Sequence, residues 1–324
     1  MSIRSRISRG LMATVAFAFT ATGAFAADIF VIGGKPDDPF WSRVKKGAED
    51  AGVVAEAQGG SVTWLGPQNY DNLGPDAAEL IRQAIDQGAD AIVGPNWVPE
   101  AMDPAFQAVT DAGIPLVIYN AGGLDAADRL GAMNYVGAVD YKSGYAGGEY
   151  LGKAGHKNGA CVNTLPGAAN IEDFCNGFNA GIEAAGGTGS TLQLPATAFG
   201  DATAVAQAVR AHLLQNPEID AMFAIGDGDT NATVSGIQQA GKGGQVHVCG
   251  MNFSDTILAN IQAGTQACAI DQQGYQQGFF AVSILNNFVN YGVTIPTREI
   301  LTGPGVVDAS NVELVIEGVK AGAR

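Results

Sequence analysis

An acidic residue followed by two aromatic residues stands near the start of the chain, in the run Asp38-Pro39-Phe40-Trp41. Aromatic rings can stack on the C–H face of a sugar, and a carboxylate accepts hydrogen bonds from its hydroxyl groups. A second interpretation assigns Asp38 to the acidic start of a helix and places both rings in the core. The spacing alone does not choose between a sugar site and these structural roles.

Aromatic, carboxylate and amide side chains recur where other predicted strands end, and one further aromatic residue lies on a predicted helix. They are Asn96, Trp97, Tyr119, Asn120, Phe174, Asp227, Asp229, Asn252, Asp271, Gln272 and Gln273. Basic groups are rare in this set, so it suits a neutral polyhydroxylated ligand better than an anion. Each of these residues taken alone is more typical of a turn or a helix cap.

Motifs for catalysis or metal binding are weak. Gly33-Gly34-Lys35 lacks the spacing and the Ser or Thr of a P-loop, and Asp227-Gly228-Asp229 matches only a fragment of a calcium loop. The sequence has neither a Gly-x-Ser-x-Gly elbow nor a Gly-x-Gly-x-x-Gly turn after the first predicted strand. We therefore expect a binding protein and not an enzyme, with no metal and no cofactor.

The elements that must position these residues alternate between short apolar strands and amphipathic helices. Pro39, Pro75 and Pro99 suit first helical turns, and Gly88 and Gly113 suit helix C-terminal ends. The alternation is typical of a parallel, doubly wound sheet, and its repetition predicts two α/β halves. Predicted strands cover 28–34, 61–66, 89–94, 115–120, 134–139, 159–165, 190–195, 221–226, 246–251, 265–271 and 298–302. Predicted helices cover 39–57, 75–87, 99–112, 140–154, 170–185, 202–215, 229–240, 255–263 and 275–291.

The composition of the 324-residue chain allows two domains of ordinary size. With 47% hydrophobic residues it can bury a full core, which excludes an intrinsically disordered protein. Its formal charge of −15 argues against nucleic acid or an anionic membrane as the main partner. Ligands of open α/β sheets bind beyond the carboxyl ends of the strands, so two facing lobes would hold a ligand in the cleft between them.

Residues 1–26 have the pattern of a secretory signal peptide. Arg4, Arg6 and Arg9 precede a short apolar run, and Ala24-Phe25-Ala26 fits a small-x-small cleavage site. The alternative, a membrane anchor, needs a longer uninterrupted apolar segment. Cleavage after Ala26 would leave residues 27–324 with a formal charge of −18 and predicts a periplasmic protein.

The four cysteines are an even number, and an exported protein meets an oxidising compartment. They are Cys161, Cys175, Cys249 and Cys268. Of the three possible pairings, proximity in sequence favours Cys161–Cys175 with Cys249–Cys268, and buried free thiols are the alternative. A metal site is disfavoured because the chain lacks a Cys-x-x-Cys motif and its three histidines are scattered.

The order and spacing of these motifs resemble the periplasmic sugar-binding proteins of the ribose and galactose type, the type I solute-binding proteins of ABC importers. The resemblance covers nearly all of residues 27–324. It rests on Asp37-Asp38-Pro39-Phe40-Trp41 in the place of the family's Asn-Pro-Phe-Phe stretch and on Ala269-Ile270-Asp271-Gln272-Gln273 before Gly278. Cys161-Val162-Asn163 followed by Cys175-x-Gly-Phe178 is similar to a subgroup with paired cysteines.

This resemblance implies an α/β fold of two Rossmann-like lobes with parallel sheets, joined by three crossovers that form a hinge. The N-terminal lobe would comprise residues 27–138 with 272–302, and the C-terminal lobe residues 139–271 with 303–324. The ligand contacts carried over by position are Asp38, Phe40, Trp41, Asn120, Phe174, Asp227 or its neighbour Gly226, Asn252 and Gln272. The strand-end argument adds Asn96 and Trp97 to this set.

The chain departs from the family at four of these positions. Asn120-Ala121 replaces an Asp-Arg pair, Phe174 an arginine, Asn252 an aspartate and Gly226 an asparagine. Charge-assisted hydrogen bonds are roughly twice as strong as neutral ones. The loss of the charged groups that would make such bonds disfavours ribose or galactose as the ligand and favours a smaller polyol, a deoxy sugar or another less polar solute.

The resulting hypothesis is a monomeric solute-binding protein that captures a small neutral sugar or polyol and delivers it to an ABC permease in the inner membrane. It has no nucleic-acid partner. A chemoreceptor or histidine kinase could receive the ligand instead, and the sequence does not separate transport from sensing. An exported enzyme is disfavoured because no nucleophile, metal or cofactor-loop motif was found.

Overall fold

Strands and helices alternate along residues 26–324, the part of the chain that the computed structural model describes. The first half contains β1 (Asp28–Ile32), α1 (Pro39–Ala57), β2 (Ser61–Leu65), α2 (Leu73–Asp86), β3 (Ala91–Gly94), α3 (Pro99–Asp111), β4 (Leu116–Tyr119), α4 (Gly123–Arg129) and β5 (Asn134–Gly137). The second half contains α5 (Asp140–Lys153), β6 (Asn158–Asn163), α6 (Ala169–Ala184), β7 (Thr188–Gln193), α7 (Ala202–Gln215), β8 (Ala221–Ala224), α8 (Asp227–Gln239), β9 (His247–Met251), α9 (Asp255–Gln262) and β10 (Cys268–Asp271). The chain continues with α10 (Gly274–Tyr291), β11 (Glu299–Leu301), β12 (Gly305–Asp308) and α11 (Val312–Lys320). The predicted signal peptide lies, apart from Ala26, outside the described residues.

The strands form two six-stranded sheets. The first sheet has the order β11-β5-β4-β3-β1-β2, and its pairings are parallel. The second has the order β12-β10-β9-β8-β6-β7 and is parallel except for β12, which runs antiparallel to β10. The predicted α/β architecture is therefore confirmed, with one antiparallel edge strand that the sequence did not predict.

Helices cover both faces of each sheet, which explains why the central strands are continuous apolar runs. We call the first sheet with α1–α4 and α10 the first lobe, and the second sheet with α5–α9 and α11 the second lobe. Strands β3 and β4 are fully buried in the first lobe, and β8 is fully buried in the second. This packing leaves the carboxyl ends of the parallel strands as the edges from which loops can project.

Close helix pairs account for part of the high glycine content. A Cβ atom on Gly278 of α10 would collide with the carbonyl oxygen of Val44 on α1. The second lobe repeats this arrangement, because a Cβ on Gly177 of α6 would collide with the carbonyl oxygen of Tyr141 on α5. Glycine is thus required where α1 meets α10, and this contact fixes the helix whose N-terminus carries Asp38, Phe40 and Trp41.

The chain passes between the two lobes three times, and the three crossings lie side by side. They follow β5, β10 and β11. Thr302 Oγ1 donates a hydrogen bond of 2.8 Å to the carbonyl oxygen of Gln272. A Cβ on Gly303 would lie 2.8 Å from the carbonyl oxygen of Asp271 and 3.6 Å from Cβ of Ala138. Only a residue without a side chain fits between the other two crossings.

Both disulfides that sequence proximity favours are present. Cys161 of β6 is bonded to Cys175 of α6, and Cys249 of β9 is bonded to Cys268 of β10. The second pair joins residues that stand opposite each other in the register of neighbouring parallel strands. All four cysteine side chains are buried in one apolar cluster of the second lobe. No helix within residues 26–324 is long and apolar enough to cross a membrane.

The surroundings of His156, just before β6, predict a loss of stability at acidic pH. The rings of His156 and His247 have centroids 4.5 Å apart, and Nδ1 of His156 lies 4.0 Å from Asp220. Burial and then His247 lower the pKa of His156, against the opposing effect of Asp220. The histidine pKa is about 6.5 in the unfolded chain and lower in the native state. As the pH falls through this range, the unfolded chain therefore binds more protons than the native state does, and this destabilises the native state.

We expect the melting temperature to fall between pH 7.5 and pH 5.5 by more in the wild type than in His156→Gln, as measured by circular dichroism. The variant removes one of the groups whose pKa differs between the folded and unfolded states, so its pH profile should be flatter. Equal losses in both proteins would show that His156 does not contribute to acid sensitivity.

Candidate functional site

An aromatic cluster lies at the carboxyl ends of the first-lobe strands and contains all three tryptophans of the chain. The Trp41 ring has centroid distances of 5.3 Å to Trp97, 6.3 Å to Trp64 and 6.0 Å to Tyr119. Phe40 meets Trp41 edge-on at 5.2 Å. Trp41 is only 8% exposed, whereas Phe40, Trp64 and Trp97 are half-buried. The predicted residues Phe40, Trp41 and Trp97 are therefore brought together.

Asp38 caps helix α1 and also belongs to the loop that borders the aromatic cluster. Its Oδ1 accepts hydrogen bonds from the backbone N–H of Phe40 at 2.9 Å and of Trp41 at 3.1 Å. The side chain of Tyr70 donates to Oδ2 at 3.4 Å, and the same hydroxyl accepts the Lys35 N–H at 3.0 Å. Burial raises the pKa of Tyr70 to about 12, so the hydroxyl keeps its proton at neutral pH. Tyr70 was not predicted, and it holds the loop after β1 to the loop after β2.

The side chain of Asn96 makes its hydrogen bond within the first lobe. It is 3% exposed, and its Nδ2 donates to Oδ1 of Asp103 at 2.6 Å. Asp103 in turn pairs with Arg129 at 2.9 Å. These contacts hold the loop after β3 against α3 and α4, beneath the half-buried ring of Trp97.

The start of α8 brings two carboxylates to the facing edge of the second lobe. Asp227 and Asp229 are half-buried, and burial raises the pKa of each. Thr164 donates to Oδ2 of Asp229 at 2.7 Å. Asp227 also feels Asp38, which raises its pKa, and Arg43, which lowers it. The carboxyl ends of the two sheets face each other, because Arg43 of the first lobe donates a hydrogen bond to the carbonyl oxygen of Phe253, which follows β9 of the second lobe. We call the space between them the interlobe cleft.

Phe174 lies in the second lobe beside the Cys161–Cys175 disulfide. It is 5% exposed and packs in the apolar cluster that contains both cysteines and Phe178. Gly226 precedes α8 with a φ of 90°, and a Cβ atom built there has no neighbour within 4 Å. Two of the four positions at which the chain departs from the family are thus a buried ring and a residue without a side chain.

A chain of amide side chains runs from the first lobe to the second along the crossing after β10. Nδ2 of Asn120 donates to Oε1 of Gln277 at 3.1 Å, and Nε2 of Gln277 donates to the carbonyl oxygen of Gln272 at 3.1 Å. Nε2 of Gln272 donates to Oδ1 of Asn252 at 3.1 Å. Asn120, Asn252 and Gln273 all have positive φ, near 60°, 60° and 50° respectively. Three predicted ligand contacts, Asn120, Asn252 and Gln272, are therefore linked, and Gln277 was not predicted.

Arg43 of α1 connects the two lobes directly. Its Nη2 donates to the carbonyl oxygen of Phe253 at 3.2 Å, and its guanidinium carbon lies 5.0 Å from the centroid of the Phe253 ring. Phe253 follows β9 in the second lobe. Both contacts exist only while the lobes are together, so they stabilise the closed arrangement.

Replacing Arg43 by alanine should favour the open arrangement and weaken ligand binding by up to about thirtyfold, since it removes one hydrogen bond and one cation–π contact that are each worth about 1 kcal/mol. Isothermal titration calorimetry measures the affinity, and small-angle X-ray scattering of the ligand-free protein measures the opening. Lys45→Ala is the matched control, because Lys45 pairs with Glu49 on its own helix at 3.5 Å. Equal effects of the two variants on affinity and opening would show that Arg43 does not hold the lobes together.

Within residues 26–324, no group of three or more His, Cys, Asp or Glu side chains is arranged to hold a metal ion. The chemistry of the cleft is instead that of aromatic faces, carboxylates and neutral amides. Such a set binds by stacking and by hydrogen bonds to hydroxyl groups.

Comparison with known proteins gives matches along most of the chain. A family model described as a periplasmic binding protein domain matches residues 29–292. The xylose/arabinose-binding protein of Sulfolobus acidocaldarius is 26% identical over 291 residues, 85% of this chain and 69% of that protein. The D-ribose/D-allose-binding protein of Pseudomonas aeruginosa is 29% identical over 209 residues, 63% of this chain and 64% of that protein. The structure of a carbohydrate transporter from Acidothermus cellulolyticus in complex with myo-inositol has 30% sequence identity and a TM-score of 0.76, and covers 92% of this chain and 99% of that one.

Proposed function

Because this chain belongs to the periplasmic binding protein family, we propose that its interlobe cleft captures a small neutral sugar or polyol and presents it to an ABC permease. The observation that carries this proposal is the composition of the cleft edges. The first lobe supplies the aromatic cluster with Asp38, the second supplies Asp227, and a chain of neutral amides joins them. Aromatic faces and carboxylates suit a ligand that carries many hydroxyl groups and no negative charge.

Ligand capture requires that the lobes move, and the crossings supply the hinge. We assign residues 27–138 with 272–302 to one moving body and residues 139–271 with 303–324 to the other. A ligand that contacts both bodies stabilises the closed arrangement, which the permease recognises. The mature protein would begin at Ala27 and act in the periplasm as a monomer.

The proposed ligand contacts are the predicted ones, with different roles. Phe40, Trp41 and Trp97 would stack on the ligand, and Asp38, Asn120, Asp227, Asn252 and Gln272 would orient its hydroxyl groups. Phe174 and Asn96 would support the site from below, since both are almost fully buried. The loss of two arginines and two carboxylates from the family's pattern favours a less polar ligand than ribose or galactose.

Tryptophan fluorescence tests the proposal directly, because every tryptophan of the chain lies in the aromatic cluster. We expect the emission to change and saturate with at least one of myo-inositol, D-ribose, D-allose, D-xylose and arabinose. D-ribose 5-phosphate serves as the anionic control and should not bind. If neither fluorescence nor calorimetry responds to any neutral compound, the assignment to sugars and polyols is wrong. Tighter binding of the phosphate ester than of D-ribose would contradict the preference for a neutral ligand.

A further inference from the structure

Gln277 is a fully buried polar side chain that no sequence motif indicated. It lies on α10, is 0% exposed, and contacts Asn120 from one side and the crossing residue Gln272 from the other. A buried amide is costly unless its donor and acceptor are both paired. The two hydrogen bonds of 3.1 Å provide one partner for each end of the Gln277 amide.

The chemistry of these partners fixes which way the Gln277 amide points. A backbone carbonyl oxygen can only accept, so the Gln272 carbonyl requires the Nε2 end of Gln277. The Oε1 end must then face Asn120, and since Oε1 also only accepts, Asn120 must offer its Nδ2. The orientation of Asn120 therefore follows from a backbone atom two steps away and does not depend on the ligand.

The backbone of Asn120 is held as firmly as its side chain. Its N–H donates to the Val136 carbonyl at 2.9 Å, and its own carbonyl oxygen accepts the Tyr135 hydroxyl at 2.9 Å. With a φ of 59°, the residue occupies a left-handed conformation that asparagine tolerates better than most residues. Gln277 engages one N–H of Nδ2, and the atom that Asn120 can present to a ligand as an acceptor is Oδ1.

We propose that Gln277 is a positioning residue that holds Asn120 with its carbonyl oxygen towards the interlobe cleft, so that the ligand must carry a hydroxyl donor at this point. This inference rests on the proposed function. Asp38 and Asp227 also present oxygen atoms that accept when ionised, and the site as a whole therefore selects a ligand by its free hydroxyl groups. A ligand with a hydrogen, an ether or a carboxylate at the Asn120 position leaves an acceptor without a donor, and this is the kind of mismatch that gives strong discrimination.

A double-mutant cycle in affinity tests this role, with the tightest-binding of myo-inositol, D-ribose and D-allose as the probe. Gln277→Leu should weaken binding about fivefold to tenfold, comparable with the loss of one hydrogen bond, and should reduce discrimination against monodeoxy analogues of the probe. In an Asn120→Ala background the same change should have no further effect, because the residue through which it acts is gone. Gln266→Leu is the matched control, since Gln266 is a buried glutamine of the second lobe that donates to a backbone carbonyl, that of Cys268, at 2.9 Å.

Additive effects of Gln277→Leu and Asn120→Ala on affinity would overturn the proposal, as would an unchanged preference over the monodeoxy analogues. A measurement on the ligand-free wild type keeps the test independent of folding of the variants and of the sugar assignment. We expect the Asn120 side-chain NH₂ to exchange slowly with solvent in nuclear magnetic resonance spectra. Fast exchange would show that Gln277 does not hold it. If no compound binds the wild type, the proposed function fails, and slow exchange would still support the orientation of Asn120.

Discussion

Trp41→Ala is expected to lower the free energy of unfolding by about 3–5 kcal/mol and to reduce ligand affinity below detection at millimolar concentrations. Trp41 is 8% exposed and lies at the centre of the aromatic cluster, in contact with Phe40, Trp64, Trp97 and Tyr119. Its removal leaves a cavity and releases the rings that would stack on the ligand. Urea unfolding followed by far-ultraviolet circular dichroism measures the stability without relying on tryptophan emission.

Two variants separate the loss of Trp41 from general effects. Trp41→Phe should retain more of the stability, because a ring still fills part of the space. Phe280→Ala removes an aromatic residue that is 38% exposed and should cost much less. If Trp41→Ala proves as stable as Phe280→Ala, the cluster is not a structural centre of the first lobe. If it binds the ligand as tightly as the wild type does, stacking on Trp41 is excluded.

The helices and strands that the sequence predicted well are those with clear boundaries. Helix α1 covers residues 39–57, as predicted, because Asp38 caps its first turn and Pro39 suits the N1 position. The predicted start of α8 at Asp229 was two residues late, since the helix begins at Asp227. Most predicted strands extended one or two residues into the following turns, where hydrophobic residues and glycines continue the apolar pattern.

Three elements were missed for different reasons. Helix α4 has only seven residues, which are too few for a clear helical periodicity, and it follows Gly122, a residue with positive φ that is typical of a turn. Strand β12 has four residues, and its strand character depends on antiparallel pairing with β10, which local sequence does not show. Helix α11 was readable, because Val312 and Val315 recur at helical spacing and both are buried.

The strand-end rule predicted the aromatic residues of the candidate site, but it could not supply tertiary contacts. Trp41 and Trp97 are 56 positions apart in sequence and meet only because β1 and β3 are neighbours in the first sheet. Arg43 has the pattern of an ordinary helix charge, and only the position of Phe253 in the other lobe reveals its contact. No sequence pattern distinguishes Gln277, because its role depends on the hydrogen-bond partners on either side of it.

Removing the Cys161–Cys175 disulfide should lower the free energy of unfolding by about 3 kcal/mol, as the chain-entropy model gives for a loop of similar length. The cysteines are 14 positions apart, and the bond holds α6 against β6 in the core of the second lobe. Phe174, the neighbour of Cys175, lies in the same cluster and should loosen with α6. Cys161→Ala/Cys175→Ala should therefore weaken ligand binding as well as stability, measured by urea unfolding and calorimetry.

The matched control is Cys249→Ala/Cys268→Ala, which removes a bond of similar separation, 19 positions, between two strands that are already paired by backbone hydrogen bonds. Both double variants should be destabilised, but the control leaves α6 attached and should retain more affinity. Thiol titration of the denatured, unreduced wild type should give no free thiols. A wild type whose stability is unchanged after reduction and alkylation would show that these bonds do not stabilise the second lobe, and equal affinities of the two variants would show that α6 does not support the ligand site.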